Sequence, residues 1–525
     1  MREYLKQSYS VKIKLRTLKR SIVRSKLQTP KMSFRSILAK PFASYVVNNR
    51  RKWEERAIET QLFLMKSLVS DASQTLFGKD NKFSQIFDYQ DFKQSVQVQD
   101  YENLKPYIEK VVAGEPDILW KGKPLYFAKT SGTTSGVKYI PISKESIGFH
   151  INGARDALLS YVHETGNAKF LDKNLIFLSG SPEMYEKNGI FTGRLSGIVN
   201  HHVPGYLRSN QMPSYETNCI EDWETKLEKI IDETIDKPMS LISGIPPWVQ
   251  MYFDRIQART GKKIKDVFPE FSLFVYGGVN FEPYRAKLYE SIGCKIDSIE
   301  TYPASEGFIA YQDTQNEEGL LMLLNSGVFY EFIPADDYFK PNPRRLHIGE
   351  VQLGINYAVV MNTNAGLWGY SLGDTVKFVS LNPYRVIVSG RIKHFISAFG
   401  EHVIGEEVEK AMQFAMQQQP ETELVEFTVA PQVSPLEGGL PYHEWLVEFS
   451  REPQNLKKFA QDVNQKLSEL NIYYQDLMVG NILRPLKIKS LPRNSFIDYM
   501  KKEGKLGGQN KVPRLSNDRL IADKL

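Results

Sequence analysis

The sequence predicts an α/β fold with a large N-terminal domain of mostly parallel sheets, an antiparallel β-barrel-like subdomain and a small, mobile α+β C-terminal domain. Short apolar runs that stop at Gly alternate with amphipathic helices in the first part of the chain. From 323 to 390 several strands follow one another without helices, which is typical of an antiparallel sheet or barrel. At 525 residues the chain also exceeds what one hydrophobic core usually supports.

The N-terminal elements come in a regular order. Residues 34–70 carry an apolar face typical of a helix, and Leu125–Ala128 and Tyr139–Ile142 indicate two short strands around a polar loop. A helix is expected over Ser143–Val162, with Ser143 as its cap. The further predictions for this part are strands at 174–180, 239–244, 271–278 and 295–300 and helices at 221–235 and 246–259.

A second unit is predicted beyond Gly390–Arg391. Its expected helices are 405–418, 453–470 and 495–501, and its expected strands are 424–430, 444–449 and 485–489. We therefore expect three parts: a basic leader at 1–31, a large domain at 32–390 and a small C-terminal domain at 391–525.

Composition excludes several classes of protein. A hydrophobic content of 42% with 12% aromatic residues indicates a globular chain. Cys219 and Cys294 form no disulfide framework, so we expect a cytoplasmic protein. No apolar run reaches the ~18 residues of a membrane span. We also expect a monomer.

The net charge of +6 comes from the leader. Residues 1–31 hold ten Lys or Arg and one acid, so the other 494 residues have a net charge of −3. No nucleic acid is therefore expected as a partner of the main body. The leader resembles a basic arm for RNA or membrane surfaces, and the alternative is that translation starts at Met32, which we favour because the globular pattern begins there.

The loop Thr130–Lys138, with the sequence T-S-G-T-T-S-G-V-K, is the first candidate for chemistry. Its glycines allow positive φ, and its hydroxyl groups and Lys138 can donate to an anion, so it suits a phosphate cradle. It differs from a Walker A loop in its glycine spacing. The alternative is a polar hairpin turn.

Two further stretches place Gly or polar residues after apolar runs, where open α/β sheets bind ligands. In Tyr276–Val279 the paired glycines expose backbone to a flat ligand, although a strand–helix turn explains them equally well. In Thr301–Gly307, Tyr302 offers a face for stacking on a base and Glu306 a carboxylate for Mg²⁺, the alternative being a solvated loop acid.

Asp374 follows a glycine turn at a predicted strand start, where its carboxylate suits a pair of ribose hydroxyls. The alternative is a turn-forming Asp. Arg391, at the predicted boundary, is placed to reach the same ribose or an α-phosphate, the alternative being a surface arginine.

The order of these stretches resembles the acyl-adenylate-forming superfamily and, more closely, the Gretchen Hagen (auxin-responsive) family of acyl acid amido synthetases. The resemblance runs from about residue 34 to the C-terminus and rests on T-S-G-T-T-S-G-V-K, Y-P-A-S-E-G and Y-S-L-G-D. Pro303 departs from the small residue usual there, which could alter the base pocket.

The resemblance implies that ATP and a carboxylic acid give an acyl-AMP, and that an amine, typically an amino acid, then displaces AMP. It implies catalytic roles for Lys511 and Glu306, with Glu306 as the Mg²⁺ ligand. The ATP-binding residues that it implies are Ser131, Gly132, Thr133, Thr134, Gly278, Val279, Tyr302, Pro303, Ala304, Ser305, Asp374 and Arg391.

Three points stay open from the sequence. Lys505 lies in the same glycine-rich tail as Lys511 and competes for the role of the mobile lysine. An acyl-CoA ligase with a thiol acceptor and a non-catalytic nucleotide-binding protein are the rival functions. The acid itself is not identified, and its pocket is expected among Leu178–Gly180, Leu195–Ile198, His201–His202 and Gly244–Trp248.

Overall fold

The computed structural model describes residues 34–131, 137–203, 205–220, 222–278, 281–392, 403–433, 435, 439–479, 483–506, 511–516 and 518–525. The predicted leader and the predicted site residues Gly132, Thr133, Thr134 and Val279 lie outside these ranges.

The α-helices of the described chain are α1 (Phe34–Glu54), α2 (Ala57–Ala72), α3 (Leu76–Asp80), α4 (Tyr89–Ser95), α5 (Tyr101–Val112), α6 (Ile147–Thr165), α7 (Leu195–His201), α8 (Gly205–Arg208), α9 (Tyr215–Asn218), α10 (Trp223–Thr234), α11 (Pro246–Thr260), α12 (Ile264–Val267), α13 (Glu282–Ile292), α14 (Gly405–Gln418), α15 (Leu456–Leu470), α16 (Ile472–Val479) and α17 (Ser495–Lys502). Among the described residues no helix is long and apolar enough to span a bilayer.

The strands are β1 (Tyr126–Ser131), β2 (Val137–Ile142), β3 (Asn174–Phe177), β4 (Tyr185–Lys187), β5 (Ile190–Gly193), β6 (Gln211–Met212), β7 (Met239–Ser243), β8 (Leu273–Gly277), β9 (Asp297–Ala304), β10 (Gly307–Tyr311), β11 (Leu320–Met322), β12 (Val328–Pro334), β13 (Leu346–His347), β14 (Asn356–Thr363), β15 (Tyr370–Leu381), β16 (Tyr384–Arg391), β17 (Glu423–Gln432), β18 (Tyr442–Arg451) and β19 (Lys487–Leu491).

The largest sheet formed by the described residues has twelve strands in the order β13-β12-β14-β15-β16-β11-β10-β9-β8-β7-β3-β6. The pairings from β6 to β9 are parallel, as the alternation of apolar runs and helices predicts. From β9 to β13 every pairing is antiparallel. The α/β class and the antiparallel strands are thus confirmed. A closed, barrel-like subdomain is not, because the described antiparallel strands continue the parallel sheet.

Two smaller sheets complete the described part. The first has the order β2-β1-β5-β4, with β1 and β2 antiparallel around the Ser/Thr/Gly loop. The second, β17-β18-β19, is built from residues beyond 391 and packs with α14 and α15 around its own core, in which Phe427, Trp445 and Phe459 are buried. The division at Gly390–Arg391 stays a prediction, although it is consistent with this separate core.

Two helices begin or break at other places than the sequence suggests. Helix α6 begins at Ile147 and not at Ser143. The Ser143 and Ser146 hydroxyls each accept a hydrogen bond from the other residue's backbone N–H at 2.9 Å, so the first turn is replaced by a local loop. The apolar pattern of 34–70 belongs to two helices, α1 and α2, which are interrupted after Glu54.

A buried ion cluster fixes α1 to the large sheet. Asp313, just after β10, pairs with Arg50 of α1 at 3.0 Å and with Arg385 of β16. Arg50 also pairs with Glu54 at 2.5 Å. Such a cluster requires every charge to have a partner, because an isolated buried charge is costly.

Candidate functional site

The hairpin of β9 and β10 carries the motif Tyr302–Glu306. Sequence reasoning placed this stretch in a loop after a strand, but β9 continues through Ala304 and pairs with Gly307. Only Ser305 and Glu306 form the turn. The backbone therefore holds Tyr302 rigidly in the sheet, and its ring is buried instead of standing free as a stacking platform.

The Asp374 carboxylate is the centre of the second group. Asp374 lies within β15 and directly opposite Arg391 on β16, so the expectation of a turn before a strand start is wrong. Its Oδ2 accepts a hydrogen bond from the Tyr302 hydroxyl at 2.7 Å, and its Oδ1 accepts one from Arg391 Nε at 2.7 Å. Three residues on three strands thus form one connected polar group.

Glu306 lies next to this group and is half-buried. Loss of hydration raises the pKa of its carboxyl, and the Asp374 charge raises it further, whereas Lys138 and a hydrogen bond from the Tyr370 hydroxyl oppose the rise. Glu306 is therefore a turn residue that is only partly solvated, which favours a ligand-binding role over a freely solvated loop acid. Tyr370 received no role from the sequence, although it precedes the Gly-Asp pair in the motif that was singled out.

Gly278 and Lys511 bring the C-terminal tail to the same place. Gly278 follows β8 with a φ of +81°, and the Lys511 ammonium donates a hydrogen bond to its carbonyl. A side chain at Gly278 would meet Lys511 Cε at 3.1 Å, so the close approach depends on glycine. Loss of hydration lowers the pKa of Lys511 to about 8, with Arg391 and Arg514 lowering it too and Asp374 opposing them.

These residues line a single large cavity of about 2970 Å³ between the large sheet and the C-terminal part of the chain. The predicted site residues on its wall are Gly278, Tyr302, Pro303, Ala304, Ser305, Glu306, Asp374, Arg391 and Lys511. Lys505 lines the cavity as well, so lining alone does not separate the two lysines. The contact with Gly278 is what distinguishes Lys511.

For the predicted phosphate loop, the described residues include only its two ends. Ser131 ends β1 and is paired in register with Val137, so the two ends of the loop meet at one point. Lys138, just beyond, also lines the cavity and lies with its ammonium 5.3 Å from the Tyr101 ring centroid. Of the residues that close the T-S-G-T-T-S-G-V-K stretch, Lys138 thus lies on the cavity wall.

Part of the expected acid pocket lies on the same cavity. Its described lining includes Leu178, Ser179, Leu195, Ser196, Gly244, Ile245 and Trp248. The two histidines have other partners: His201 Nε2 lies 2.9 Å from the Pro182 carbonyl oxygen, and His202 Nε2 lies 2.9 Å from the Tyr126 hydroxyl.

One acidic residue on the cavity wall was missed. Glu300, on β9, lies with Oε2 at 3.4 Å from the Tyr276 hydroxyl, and burial raises the pKa of its carboxyl to about 7. In sequence it is an ordinary polar position of an alternating strand, so no local signal identifies it.

Family comparisons agree with this architecture. The GH3 family N-terminal domain matches residues 47–217, its central domain matches 321–391 and its C-terminal domain matches 406–520. The fold is similar to that of the solved "GH3.15 acyl acid amido synthetase", with a TM-score of 0.73 at 18% identity over 90% of this chain and 93% of that one. It also resembles 2-hydroxyisobutyryl-CoA ligase in the postadenylation state, with a TM-score of 0.59 at 13% identity over 88% and 90% of the two chains.

Curated relatives carry related names. "Indole-3-acetic acid-amido synthetase GH3.15" of Arabidopsis thaliana is 32% identical over 186 residues, which is 35% of this chain and 30% of the relative. The match therefore spans under a third of that relative. "Indole-3-acetic acid-amido synthetase GH3.3" of the same plant is 22% identical over 86% of this chain and 88% of the relative. With three family domains matched in order and the fold shared, the chain belongs to the GH3 family, whose named relatives here are amido synthetases.

Proposed function

We propose that this protein is an ATP-dependent acyl acid amido synthetase. It joins the carboxyl group of a small acid to AMP and then transfers the acyl group to an amine, most simply an amino acid. One observation carries the proposal: Gly278, Tyr302, Asp374, Arg391 and Lys511, which lie far apart in the sequence, surround one cavity. Membership of the GH3 family supports the same reaction class.

The nucleotide would be held by groups that already have defined positions. The Asp374 carboxylate is oriented by Tyr302 and Arg391, and its remaining lone pairs can accept bonds from two ribose hydroxyls. Gly278 lies on the cavity wall, and although its carbonyl accepts from Lys511, the rest of its backbone would offer an edge to the adenine. Ser131, Gly132, Thr133, Thr134 and Val279 complete this part of the proposal.

Adenylation requires neutralisation of charge more than a protein nucleophile. The acid's carboxylate oxygen forms a bond to the α-phosphorus, and the bond between that phosphorus and the pyrophosphate oxygen breaks. Lys511 and Arg391 place two cationic groups beside the cavity where this charge develops. In the second step the nitrogen of the neutral amine bonds to the acyl carbon, the bond from that carbon to the phosphate oxygen breaks and releases AMP, and the one proton that the nitrogen loses passes to solvent.

Glu306 suits a magnesium site of the kind that the substrate completes. Among the described residues no group of three His, Cys, Asp or Glu side chains could hold a metal alone. Mg²⁺ is commonly bound by one or two carboxylates together with substrate phosphates, and Glu306 supplies one carboxylate at the cavity wall. The ion would supply charge neutralisation on the phosphates. We further propose that the protein is cytoplasmic and monomeric.

ATP–pyrophosphate exchange tests the first half-reaction. Purified protein is assayed with indole-3-acetic acid, other aryl acids, hydroxy acids and fatty acids. We expect exchange with at least one acid, a loss of about 100-fold or more in Lys511→Ala, and little change in Lys505→Ala. Loss of exchange in Lys505→Ala alone would assign the mobile lysine to Lys505. No exchange with any acid would favour the non-catalytic alternative.

The acceptor is tested separately, because the fold is shared with a CoA ligase. The acid that gives the highest exchange is incubated with ATP and either the twenty amino acids or CoA, and products are identified by mass spectrometry. We expect an amide. A thioester in its place would make the protein an acyl-CoA ligase.

A further inference from the structure

Arg514, three residues after Lys511, connects the C-terminal part of the chain to the large sheet's helices. Its Nη1 pairs with Glu426 of β17, and its Nε lies 3.3 Å from Glu409 of α14. Its Nη2 donates a hydrogen bond to the hydroxyl of Tyr284 on α13, at 2.6 Å. Arg514 therefore touches both parts of the protein.

Tyr284 is the partner on the large domain. Its hydroxyl accepts from Arg514 and lies 3.2 Å from both carboxylate oxygens of Glu426, to which it donates. Burial raises the pKa of this hydroxyl, so it stays neutral and can do both. The ring is buried in the core that contains Phe274 and Phe281, which fixes the position of the hydroxyl.

Backbone contacts tie the segment that carries Arg514 to β17. The Val429 N–H donates to the Arg514 carbonyl at 2.9 Å, and the Thr428 hydroxyl donates to the Pro513 carbonyl at 2.6 Å. The Arg514 guanidinium also lies 4.5 Å from the Phe427 ring centroid. The position of Lys511 therefore follows from that of β17.

Other ion pairs between the two parts lie farther from Lys511 in the chain. Lys377 pairs with Glu406 at 3.0 Å, and Lys501 pairs with Glu224 at 2.9 Å. The second pair is largely exposed and, as an exposed pair, contributes little. The side chains of the Arg514–Glu426 pair are less exposed, and Arg514 lies only three residues from Lys511.

We propose that Arg514, Glu426 and Tyr284 form a latch that holds the C-terminal part in the orientation in which Lys511 enters the site. Arg514 and Tyr284 are then positioning residues of adenylation. The inference rests on the proposed function, because it assigns Lys511 to that step.

The distribution of charge makes the latch reversible. Arg514, Glu426 and Glu409 all belong to the C-terminal part, so their ion pairs move together when that part rotates away. At the latch itself the bonds that break are those of a neutral hydroxyl, which water can replace. The Lys377–Glu406 pair, in contrast, joins charges of the two parts, so its separation leaves Lys377 without that partner. The latch therefore favours closure without preventing release.

Tyr284→Phe tests the latch with little change in volume. Tyr252→Phe is the matched control, since Tyr252 lies in the same core and its hydroxyl bonds to Thr234 of the large domain at 2.6 Å. With the acid that gives the highest ATP–pyrophosphate exchange, we expect Tyr284→Phe to lower kcat about tenfold and to leave KM for ATP within about twofold. Equal effects of the two substitutions would overturn the proposal.

A double-mutant cycle shows whether the latch acts through Lys511. In the Lys511→Ala background, Tyr284→Phe should cause no further loss of exchange, because the group that it positions is gone. Arg514→Lys, which keeps the charge but not the fork, should lose less than Arg514→Gln. A full additional loss in the Lys511→Ala background would mean that Tyr284 acts by another route.

A distance measurement tests the latch without any activity. Spin labels are attached to Cys294, which is exposed on the large domain, and to a cysteine at the exposed position 457 on α15, with Cys219→Ser as background. We expect one narrow distance distribution in the parent (Lys457→Cys) and in Tyr252→Phe, and a broadened or longer one in Tyr284→Phe and Arg514→Gln. Identical distributions in all four would overturn the latch, whereas absent exchange in the parent would overturn the proposed function alone.

Discussion

Two arginines on the same strand, β16, each pair with an aspartate, yet they differ in their surroundings. Arg385 pairs with Asp313 and its side chain is 9% exposed. Arg391 pairs with Asp374 and its side chain is 56% exposed, into the cavity. Each group also contains a tyrosine: the Tyr302 hydroxyl donates to Asp374, whereas the Tyr311 hydroxyl lies 3.4 Å from Nη1 of Arg50, the other partner of Asp313.

The difference lies in what remains available to a ligand. Around Asp313 the second cation is Arg50 of α1, so protein groups surround the carboxylate on both sides. Around Asp374 the second partner is a neutral hydroxyl, and the arginine faces open space. We infer that the same pair of residue types stabilises the fold where it is enclosed and binds a ligand where its cation stays accessible.

The largest effect is expected at the enclosed pair. Asp313→Ala leaves Arg50 and Arg385 without their shared partner and should lower the free energy of unfolding by about 3–5 kcal/mol, measured by urea denaturation. The control is Asp71→Ala, whose partner Lys121 lies 3.4 Å away on the surface and which should cost under about 1 kcal/mol. A wild-type urea midpoint for Asp313→Ala would contradict a structural role for the cluster.

The Asp374–Arg391 pair, in contrast, should affect activity more than stability. Asp374→Asn removes the negative charge that pairs with Arg391 and that would accept hydrogen bonds from the ribose hydroxyls. We therefore expect kcat/KM for ATP in pyrophosphate exchange to fall about 100-fold, which corresponds to about 2.7 kcal/mol. Unfolding should change by about 1 kcal/mol or less, because Arg391 can hydrate in the cavity. A large loss of stability with unchanged exchange per folded molecule would make the two pairs alike.

The two tyrosines sharpen the contrast at a smaller scale. Tyr302→Phe removes the hydroxyl that orients Asp374 and should lower exchange about tenfold. Tyr311→Phe removes the hydroxyl that lies 3.4 Å from Arg50 and should cost about 1 kcal/mol of unfolding free energy without altering exchange. The prediction fails if both variants lose exchange activity, or if both lose only unfolding free energy.

The sequence predicts elements better than it predicts these pairs. Helix α14 has the bounds that its apolar spacing indicates, because local periodicity and a following strand determine it. The roles of Arg385 and Arg391, in contrast, cannot be distinguished from the sequence around each residue. They lie six positions apart on one strand, and only the packing of α1 over one end and the cavity at the other separates them.

The candidate site shows the same limit. The order of its motifs predicted nine site residues that lie on the cavity wall. The bond between Tyr302 and Asp374, however, joins positions 72 apart in the chain. It depends on the register of β9, β15 and β16, which the motifs do not contain. The Tyr284–Arg514 contact spans 230 positions and depends on how two parts of the chain pack.

The smallest effect expected is a shift in pH dependence. Lys511 must be protonated to neutralise phosphate charge, and its pKa is lowered to about 8, so exchange should fall about fourfold as pH rises from about 7 to about 8.5. Arg391 is the neighbouring charge that lowers this pKa most, so Arg391→Gln should move the falling limb to higher pH. Arg385→Gln, on the same strand but enclosed by Asp313, should leave the limb in place. Lys511→Arg keeps its charge across this range and should flatten the profile. An unchanged limb in both Lys511→Arg and Arg391→Gln would show that another group titrates, and would remove the electrostatic distinction between the two arginines.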